Sequence, residues 1–405
     1  MKGKLRLLTF SISSVLLLLG CAKETEDVHI KDNLQAIGSN IIIKELNSEL
    51  ENVEVIPVKI VENTPEPTPL VTEVNIKMVG DNLIHSPLYK AARRDDGTYN
   101  FDMLFEHMKN DIESADLAII NQETILTADR NQISSYPMFG SPLEVGNSVV
   151  NAGFDIVAHA TNHTIDKNKQ GILDTINFWE TNYPNITYLG IHDSAEDSDI
   201  AYVEKKGINF AFVNYTYGLN GLENWRVGSE YMVDMLTDSD IESTLLEAET
   251  NADMTIAILH VGNEYVYEPT TYAQQQVDRF IDNGADIVLC AHPHVLEPYE
   301  MRTTEKGNTG LVYYSLGNYV SNQNELPRIL GGMADITIRK TEYNGECTIE
   351  IPKYNMIPLV THQEVGYFTT YKLEDYTDEL AAKHKLKSKG LSVEYLNGLY
   401  SKIID

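Results

Sequence analysis

Short apolar runs followed by polar residues recur along the chain from residue 73 onward. All six runs lead into Asp, Glu, Asn or His: residues 74–79 before Asp81, 115–120 before Asn121 and Glu123, 155–158 before His159, 254–259 before His260, 285–290 before His292, and 311–316 before Asn318. Amphipathic stretches such as 272–282, which ends at Asn283-Gly284, predict helices between them. Short apolar strands that alternate with amphipathic helices predict an α/β fold with buried sheets.

The polar residues at the strand ends predict a metal site. Ligands of open α/β folds gather at the carboxyl ends of the strands, so seven side chains would meet if the first five strands are neighbours. These side chains are Asp81, Glu123, Asn162, His163, His260, His292 and His294. Neutral imidazoles with carboxylates and one amide suit Mn²⁺, Fe or Zn²⁺ better than Ca²⁺, which prefers oxygen ligands alone.

The spacing of His292 and His294 indicates that there is room for more than one ion. In an extended segment, residues two apart point the same way, so each histidine could reach one of two adjacent ions. A bridging carboxylate is the usual means of holding two such cations about 3.5–4 Å apart. We therefore expect one or two divalent ions as the cofactor.

The N-terminal residues predict export and lipid attachment. Basic residues at positions 2, 4 and 6 precede the uncharged run 7–20, which is typical of a secretory signal. Residues 18–21, Leu-Leu-Gly-Cys, resemble a bacterial lipobox, so we expect loss of 1–20 and lipid attachment at Cys21. The alternative is an uncleaved anchor helix, although this run is short for a hydrocarbon core of roughly 30 Å. In both cases the chain is extracytoplasmic and held at the bacterial cell membrane.

The remaining chain divides into four segments. Residues 21–72 form an extracytoplasmic spacer, because the proline-rich stretch 63–69 is extended. Residues 73–325 form the main domain, and 326–365 supply C-terminal strands that complete it, with a hairpin turn at 343–346. Residues 366–405 are expected to form a helical tail.

Charge and cysteine content narrow the classes of partner. The 405-residue chain carries 60 acidic and 31 basic residues, a net charge of −29, which excludes nucleic acid as the main partner because phosphates require a basic surface. Three cysteines are too few for a disulfide scaffold or a thiolate zinc cluster. Cys290 is expected to be a small buried hydrophobe, with a Cys290–Cys347 disulfide as the alternative.

The motifs, taken in order, resemble the CapA family of poly-γ-glutamate capsule-biosynthesis proteins, a branch of the calcineurin-like metallophosphoesterases. The resemblance covers roughly residues 74–325. Its motifs are Gly80-Asp81, Asn121-Gln-Glu123, Thr161-Asn162-His163-Thr164-Ile-Asp166, His260-Val-Gly262, Ala291-His292-Pro-His294 and Tyr314-Ser-Leu-Gly-Asn318. The fold that this resemblance implies is a four-layer α/β/β/α sandwich.

The resemblance also implies a role for each site residue. Asp81 and His294 would bind a first metal, and Glu123 would bridge it to a second. The second metal would be bound by Asn162, His260 and His292. His163 would be the acid that protonates a leaving group, and Asp166 would orient it.

Three positions depart from the pattern of active phosphoesterases and leave two classes of function open. Leu83 stands where a histidine is expected, Glu123 where an aspartate is expected, and Thr164 where an acidic residue is expected. His85 could substitute for the missing imidazole, although a histidine in a loop is the simpler interpretation. His159 is either a support for Asn162 or a buried, hydrogen-bonded histidine.

The first class is a membrane-anchored capsule-biosynthesis protein with a metal-dependent hydrolase-like site. Its substrate would be a phosphoester, or an amide or acidic polymer of the cell envelope such as poly-γ-glutamate. The second class is a non-catalytic metal-binding partner of a membrane polymer synthase. A metallophosphoesterase that acts on an unrelated envelope substrate is the further alternative. Asn162-His163 with Asp166 favours chemistry, whereas the missing histidine favours the partner.

Overall fold

The computed structural model describes residues 68–404. The strands are β1 Leu70–Asn82, β2 Leu117–Asn121, β3 Leu126–Thr127, β4 Ser141–Pro142, β5 Ile156–Ala158, β6 Thr187–Leu189, β7 Ala201–Lys205, β8 Ile208–Thr216, β9 Met254–His260, β10 Ile287–Ala291, β11 Tyr299–Thr303, β12 Thr309–Tyr313, β13 Asn318–Val320, β14 Leu330–Tyr343, β15 Glu346–Glu364 and β16 Tyr367–Lys372. The helices are α1 Ser86–Ala92, α2 Lys109–Glu113, α3 Glu144–Ala152, α4 Asn168–Asn182, α5 Ile241–Asn251, α6 Thr271–Asp282, α7 Asp378–Lys383 and α8 Val393–Ile404. The six predicted strands and the helix predicted at 272–282 are confirmed.

The expected signal segment, Cys21 and nearly all of the expected spacer lie outside the described residues. Within them, no helix combines the length and the apolar character needed to cross a membrane.

Two sheets contain all but two of the strands described. The first has the order β16-β15-β14-β1-β2-β5-β6, with β13 paired to the end of β1, and the second has the order β11-β12-β10-β9-β8-β7. The strands β1, β2, β5 and β6 are parallel, as are β8, β9, β10 and β12. The five strands whose ends carry the predicted ligands are therefore divided between two sheets.

Alternating side chains place the two sheets face to face. Ile119 of β2 lies in a core that also contains Ile256 and Leu289 of the second sheet, whereas its neighbour Ile120 belongs to another core with Val149 of α3. Alternate residues of a strand point to opposite faces, so each central strand is apolar on both. The outer face of the second sheet is covered in the same way, mainly by α5 and α6. The resulting four layers are the α/β/β/α sandwich that the resemblance implied.

The C-terminal strands join the first sheet. β14 and β15 form the predicted hairpin, in which Tyr343 pairs with Glu346 and the turn residues Asn344 and Gly345 have φ of 53° and 85°. The expected helical tail is wrong at its start, because Tyr367–Lys372 is strand β16 and pairs with β15. Its sequence, Tyr-Phe-Thr-Thr-Tyr-Lys, is rich in the aromatic and β-branched residues that fit a pleated surface.

The structure also shows whether Cys290 and Cys347 form a disulfide. Cys290 is buried in β10, Cys347 is exposed in β15, and both are free. The disulfide alternative is therefore wrong, and Cys290 packs in the core beneath α6.

Candidate metal centre

The predicted ligands converge where the two sheets meet. Asp81 is the penultimate residue of β1, and Glu123 follows β2. His260 ends β9, and His292 and His294 follow β10. Each of these side chains is at least 97% buried. They form two groups, Asp81–Glu123–His294 and Glu123–His260–His292, in each of which one ligand atom per residue lies within 4.8 Å of the others. Glu123 belongs to both groups, which is the position of a bridging carboxylate.

Glu123 shows that these residues fit a divalent cation. Both of its carboxylate oxygens are buried and have no hydrogen-bond partner in the described part of the chain. The nearest imidazole nitrogens, His294 Nε2 and His260 Nε2, lie 3.7 and 3.9 Å from Oε1, beyond hydrogen-bonding distance. Burial raises the pKa of Glu123 well above its usual range. A buried carboxylate without a hydrogen bond is costly, and a coordinated cation would remove that cost.

Two of the histidines have the protonation state that metal binding needs. Burial lowers the pKa of His292 to about 3 and that of His260 well below its usual range. Both rings are therefore neutral at pH 7, and a neutral imidazole nitrogen is the form that donates to a metal. His292 Nδ1 is also buried without a hydrogen-bond partner in residues 68–404.

The pKa of His294 is shifted in the opposite direction from those of His260 and His292. Burial lowers its pKa, but the charge of Glu123 and a hydrogen bond with Asp81 outweigh burial and raise the pKa to about 9. Its Nδ1 lies 2.9 Å from Asp81 Oδ2. A metal can bind His294 only through a nitrogen that carries no proton, so metal binding at the Asp81 group competes with the proton that these neighbouring carboxyl groups favour.

Asn162 is positioned by a network around His260. Its Oδ1 lies 2.9 Å from His260 Nε2, and its Nδ2 donates to Asn220 Oδ1 at 3.2 Å. Asn121 Nδ2 donates to Asp81 Oδ1 at 2.7 Å and lies 3.4 Å from His260 Nδ1. The structure therefore adds Asn121 and Asn220 to the site. Asn121 stands in a predicted motif, whereas Asn220 lies in a loop without any recognisable signal.

His163 and Asp166 form a pair beside the ligands. His163 Nδ1 lies 2.7 Å from Asp166 Oδ2, which also accepts a hydrogen bond from the Phe139 backbone N–H at 2.7 Å. The edge of the Phe139 ring packs on the imidazole, with centroids 4.7 Å apart. His163 belongs to neither ligand group. The imidazole is held through Nδ1, which leaves Nε2 for another partner.

Other candidates have structural roles. His85 Nδ1 lies 3.2 Å from the Leu83 carbonyl oxygen, its ring packs on Phe139, and it joins neither ligand group. Leu83 itself is buried. His159 Nε2 accepts a hydrogen bond from Trp179 Nε1 at 2.9 Å, so the interpretation as a buried, bonded histidine is confirmed.

A third cluster of potential ligands lies elsewhere and was not predicted. It contains His192, Asp199 and Asp234. His192 Nε2 lies 3.0 Å from Asp234 and 3.7 Å from Asp199. His192 thus pairs with both carboxylates, more closely with Asp234, while burial and the charge of Asp234 raise the pKa of Asp199.

The structure is a two-sheet α/β/β/α sandwich with an Asp–Glu–Asn–His cluster at its strand ends, which is the fold type that the resemblance to calcineurin-like metallophosphoesterases implied. Residues 75–323 match the family model described as bacterial capsule synthesis protein PGA_cap. The match covers more than half of the chain, so the chain belongs to this family.

Two curated relatives are both named CapA. The capsule biosynthesis protein CapA of Bacillus anthracis is 26% identical over 62% of this chain and 60% of its own length. The PGA biosynthesis protein CapA of Bacillus subtilis is 27% identical over 55% of this chain and 57% of its own. The chain thus matches somewhat less than two thirds of each relative.

Solved structures show a remote likeness. A hypothetical protein from Thermus thermophilus is 16% identical, with 70% of this chain and 99% of that chain covered and a TM-score of 0.39. The NAD nucleotidase of Haemophilus influenzae is 11% identical, with 82% and 60% covered and a TM-score of 0.43.

Proposed function

We propose that the protein is a metal-dependent hydrolase-like enzyme of capsule biosynthesis that acts on an acidic polymer or phosphoester of the cell envelope. The observation that carries the proposal is Glu123, a fully buried carboxylate without a hydrogen-bond partner in the described residues, shared by two ligand groups. The His163–Asp166 pair beside them adds a proton-transfer group that a purely structural metal site does not need. Family membership supports the link to capsule synthesis.

Different residues of the chain would bind the metal and transfer the proton. Asp81, Glu123 and His294 would hold one cation, and Glu123, Asn162, His260 and His292 the other. When bound, divalent cations act as Lewis acids toward a substrate oxygen and lower the pKa of water. Asp166 accepts the Nδ1–H of His163 and keeps the ring in one orientation, so that Nε2 can deliver a proton to a leaving group.

A non-catalytic metal-binding partner of a membrane polymer synthase is the second candidate. The observation in its favour is Leu83, a buried apolar side chain where active phosphoesterases have a histidine. The Asp81 group consequently contains three ligands. A short ligand set can still retain a cation that bridges the protein to a polyanion, which a chain with a net charge of −29 would otherwise repel.

The variant His163→Gln separates the two candidates. An enzyme should keep its metal content and lose activity or polymer output by a factor on the order of 10²–10⁴, the usual contribution of a general acid. Metal is measured by mass spectrometry, and activity with phosphomonoester, phosphodiester and γ-glutamyl substrates in Mn²⁺.

His85→Gln is the matched control, because His85 packs on the same Phe139 ring but belongs to neither ligand group. This control variant should leave both the metal content and the activity or polymer output unchanged. Normal metal with unchanged output in His163→Gln would end the catalytic proposal in favour of the partner, and loss of metal would make His163 a ligand.

We further propose that the protein is attached to the outer face of the bacterial cell membrane through lipid on Cys21, close to the polymer synthase subunits. The lipobox-like residues 18–21 support this location. Cys21→Ala should move the protein out of the membrane fraction or leave it unprocessed, and a wild-type protein found soluble and without lipid would contradict the proposal.

A further inference from the structure

An arginine is stacked beside the proposed metal centre. The guanidinium carbon of Arg328 lies 3.4 Å from the centroid of the Tyr265 ring. The centroid of the same ring lies 6.0 Å from that of His294, one of the predicted ligands. Arg328 belongs to the short 3₁₀ turn Leu326–Ile329, which leads into β14. A fixed positive charge therefore lies one aromatic ring away from the ligand cluster.

Asn318 ties this arginine to the ligand loop. Its Nδ2 lies 3.3 Å from the His294 carbonyl oxygen, 2.9 Å from the Arg328 carbonyl oxygen and 3.1 Å from Gln323 Oε1. Gln323 Nε2 in turn donates to Tyr265 Oη at 3.4 Å. The Tyr265 backbone N–H donates to the Pro293 carbonyl oxygen, between the two histidines, at 2.7 Å. The backbone of Arg328 and the ring beneath its side chain are thus both attached to the segment that carries His292 and His294.

Arg328 makes no ion pair with a carboxylate in the described residues, which it shares with the exposed Arg93 and Arg94. Five other arginines in the described part of the chain contact a carboxylate within 4.0 Å: Arg130, Arg226, Arg279, Arg302 and Arg339. Among residues 68–404, no such ion pair involves Arg328, although the chain has about twice as many acidic as basic residues. The nearby Glu325 pairs with Lys389 at 2.8 Å instead. The guanidinium of Arg328 is thus stacked on an aromatic face, with no carboxylate of residues 68–404 within 4.0 Å.

We propose that Arg328, stacked on Tyr265, forms a subsite for an oxyanion of the substrate next to the metal centre. The group recognised is a carboxylate or a phosphate that is not itself being attacked, as in an acidic polymer. A guanidinium presents a planar fork that binds either oxyanion through two hydrogen bonds. Stacking on an aromatic ring keeps the cation in place and orders it before the ligand arrives. This inference rests on the proposed function, since it assigns the substrate class of the same site.

Calorimetric titration of the full-length protein, purified in detergent and supplied with Mn²⁺, tests the subsite. The probes are a tri-γ-glutamate peptide and inorganic phosphate. Arg328→Gln should weaken binding of at least one probe about tenfold or more, as expected when a charge-assisted hydrogen bond is lost. Arg328→Lys keeps the charge but lacks the planar pair of donors, so its affinity for the probe should lie between those of the wild type and Arg328→Gln. Arg93→Gln removes the same charge from an exposed position and is the control.

Each outcome of this titration either supports or overturns the proposed subsite. Loss of the peptide alone identifies a carboxylate subsite, loss of phosphate alone a phosphate subsite, and loss of both a general oxyanion subsite. Wild-type binding in Arg328→Gln, or no binding of either probe to the wild type, overturns the proposal. Loss of metal from Arg328→Gln also overturns it, because the arginine would then support the ligand loop. A wild type that takes up no metal but still binds a probe through Arg328 would refute the proposed function alone.

Discussion

Replacing Glu123 by glutamine should leave the metal-free protein at least as stable as the wild type while removing most of the stabilisation that metal provides. Burial raises the pKa of this carboxyl, and the nearby charge of His294 offsets that effect only in part. An acid whose pKa is raised by folding is favourable below its unfolded pKa, here 4.5, and that advantage is lost as the pH rises toward the folded pKa. The metal-free amide variant should therefore be at least as stable as the wild type at pH 7.

The response to metal should change in the opposite direction. A ligand at 100 times its dissociation constant stabilises the folded state by about 2.7 kcal/mol. With an unfolding entropy of roughly 2.1 cal/mol/K per residue and about 340 residues in the domain, the entropy at the midpoint is about 0.7 kcal/mol/K. The wild-type Tm should thus rise by about 4 °C. Glu123→Gln removes the ligand common to both groups, so its Tm should rise by less than about 1 °C.

Scanning calorimetry with chelator and with Mn²⁺ at pH 7, repeated with chelator near pH 4, gives all the values needed. The difference in stability between the two metal-free proteins should shrink near pH 4, because the wild-type carboxyl is then mostly protonated in both states. A full rise in Tm for Glu123→Gln would show that Glu123 does not hold the metal. A metal-free variant clearly less stable than the wild type at pH 7 would show that the carboxylate has a stabilising partner after all.

Two further substitutions test features of the fold. Burial, then Asp234, raises the pKa of Asp199 from 3.8 to about 6. Relative to the wild type, Asp199→Asn should therefore be more stable at pH 7.5 than at pH 3, measured by urea unfolding, with a gain of about 1 kcal/mol because solvent screens this partly exposed carboxyl. Gly80→Ala would place a Cβ 1.9 Å from the Gly317 carbonyl oxygen, so it should cost at least about 2 kcal/mol and reduce bound metal, whereas Gly398→Ala, in open space, should not. Equal stability of these two alanine variants, or a pH-independent effect of Asp199→Asn, would contradict the structure.

Local patterns in the sequence predicted the strands and most of the ligand cluster. An apolar run that ends in a polar residue marks the carboxyl end of a buried strand, and Asp81, His260 and His292 do lie at such strand ends in the structure. The division of these strands into two sheets does not follow from the runs themselves, because a strand buried on both faces looks the same in either sheet. That division came from the resemblance of the ordered motifs.

Residues that act through long-range contacts could not be predicted. Arg328 meets Tyr265 across 63 positions of sequence, and nothing in the local pattern around either residue indicates the contact. Asn220 likewise reaches Asn162 from a loop without periodicity. The raised pKa of the half-buried Asp199 depends on burial and then on Asp234, which only the folded chain brings near it. Pairwise burial and charge of this kind are properties of the tertiary structure rather than of a window of sequence.

The pairing of β1 with β14 determines when the chain can finish folding. β1 pairs with β2 on one side and with β14 on the other, and its β14 partners lie between 254 positions away, from Val79 to Met333, and 272 positions away, from Leu70 to Glu342. Contacts of such high sequence separation slow folding, because a very large loop must close first. The family match ends at residue 323, before β14 begins. A chain that stops there leaves one edge of β1 unpaired, which favours aggregation. The cooperative folding unit is thus longer than the matched segment, and the first sheet stays incomplete during synthesis until β14 has emerged.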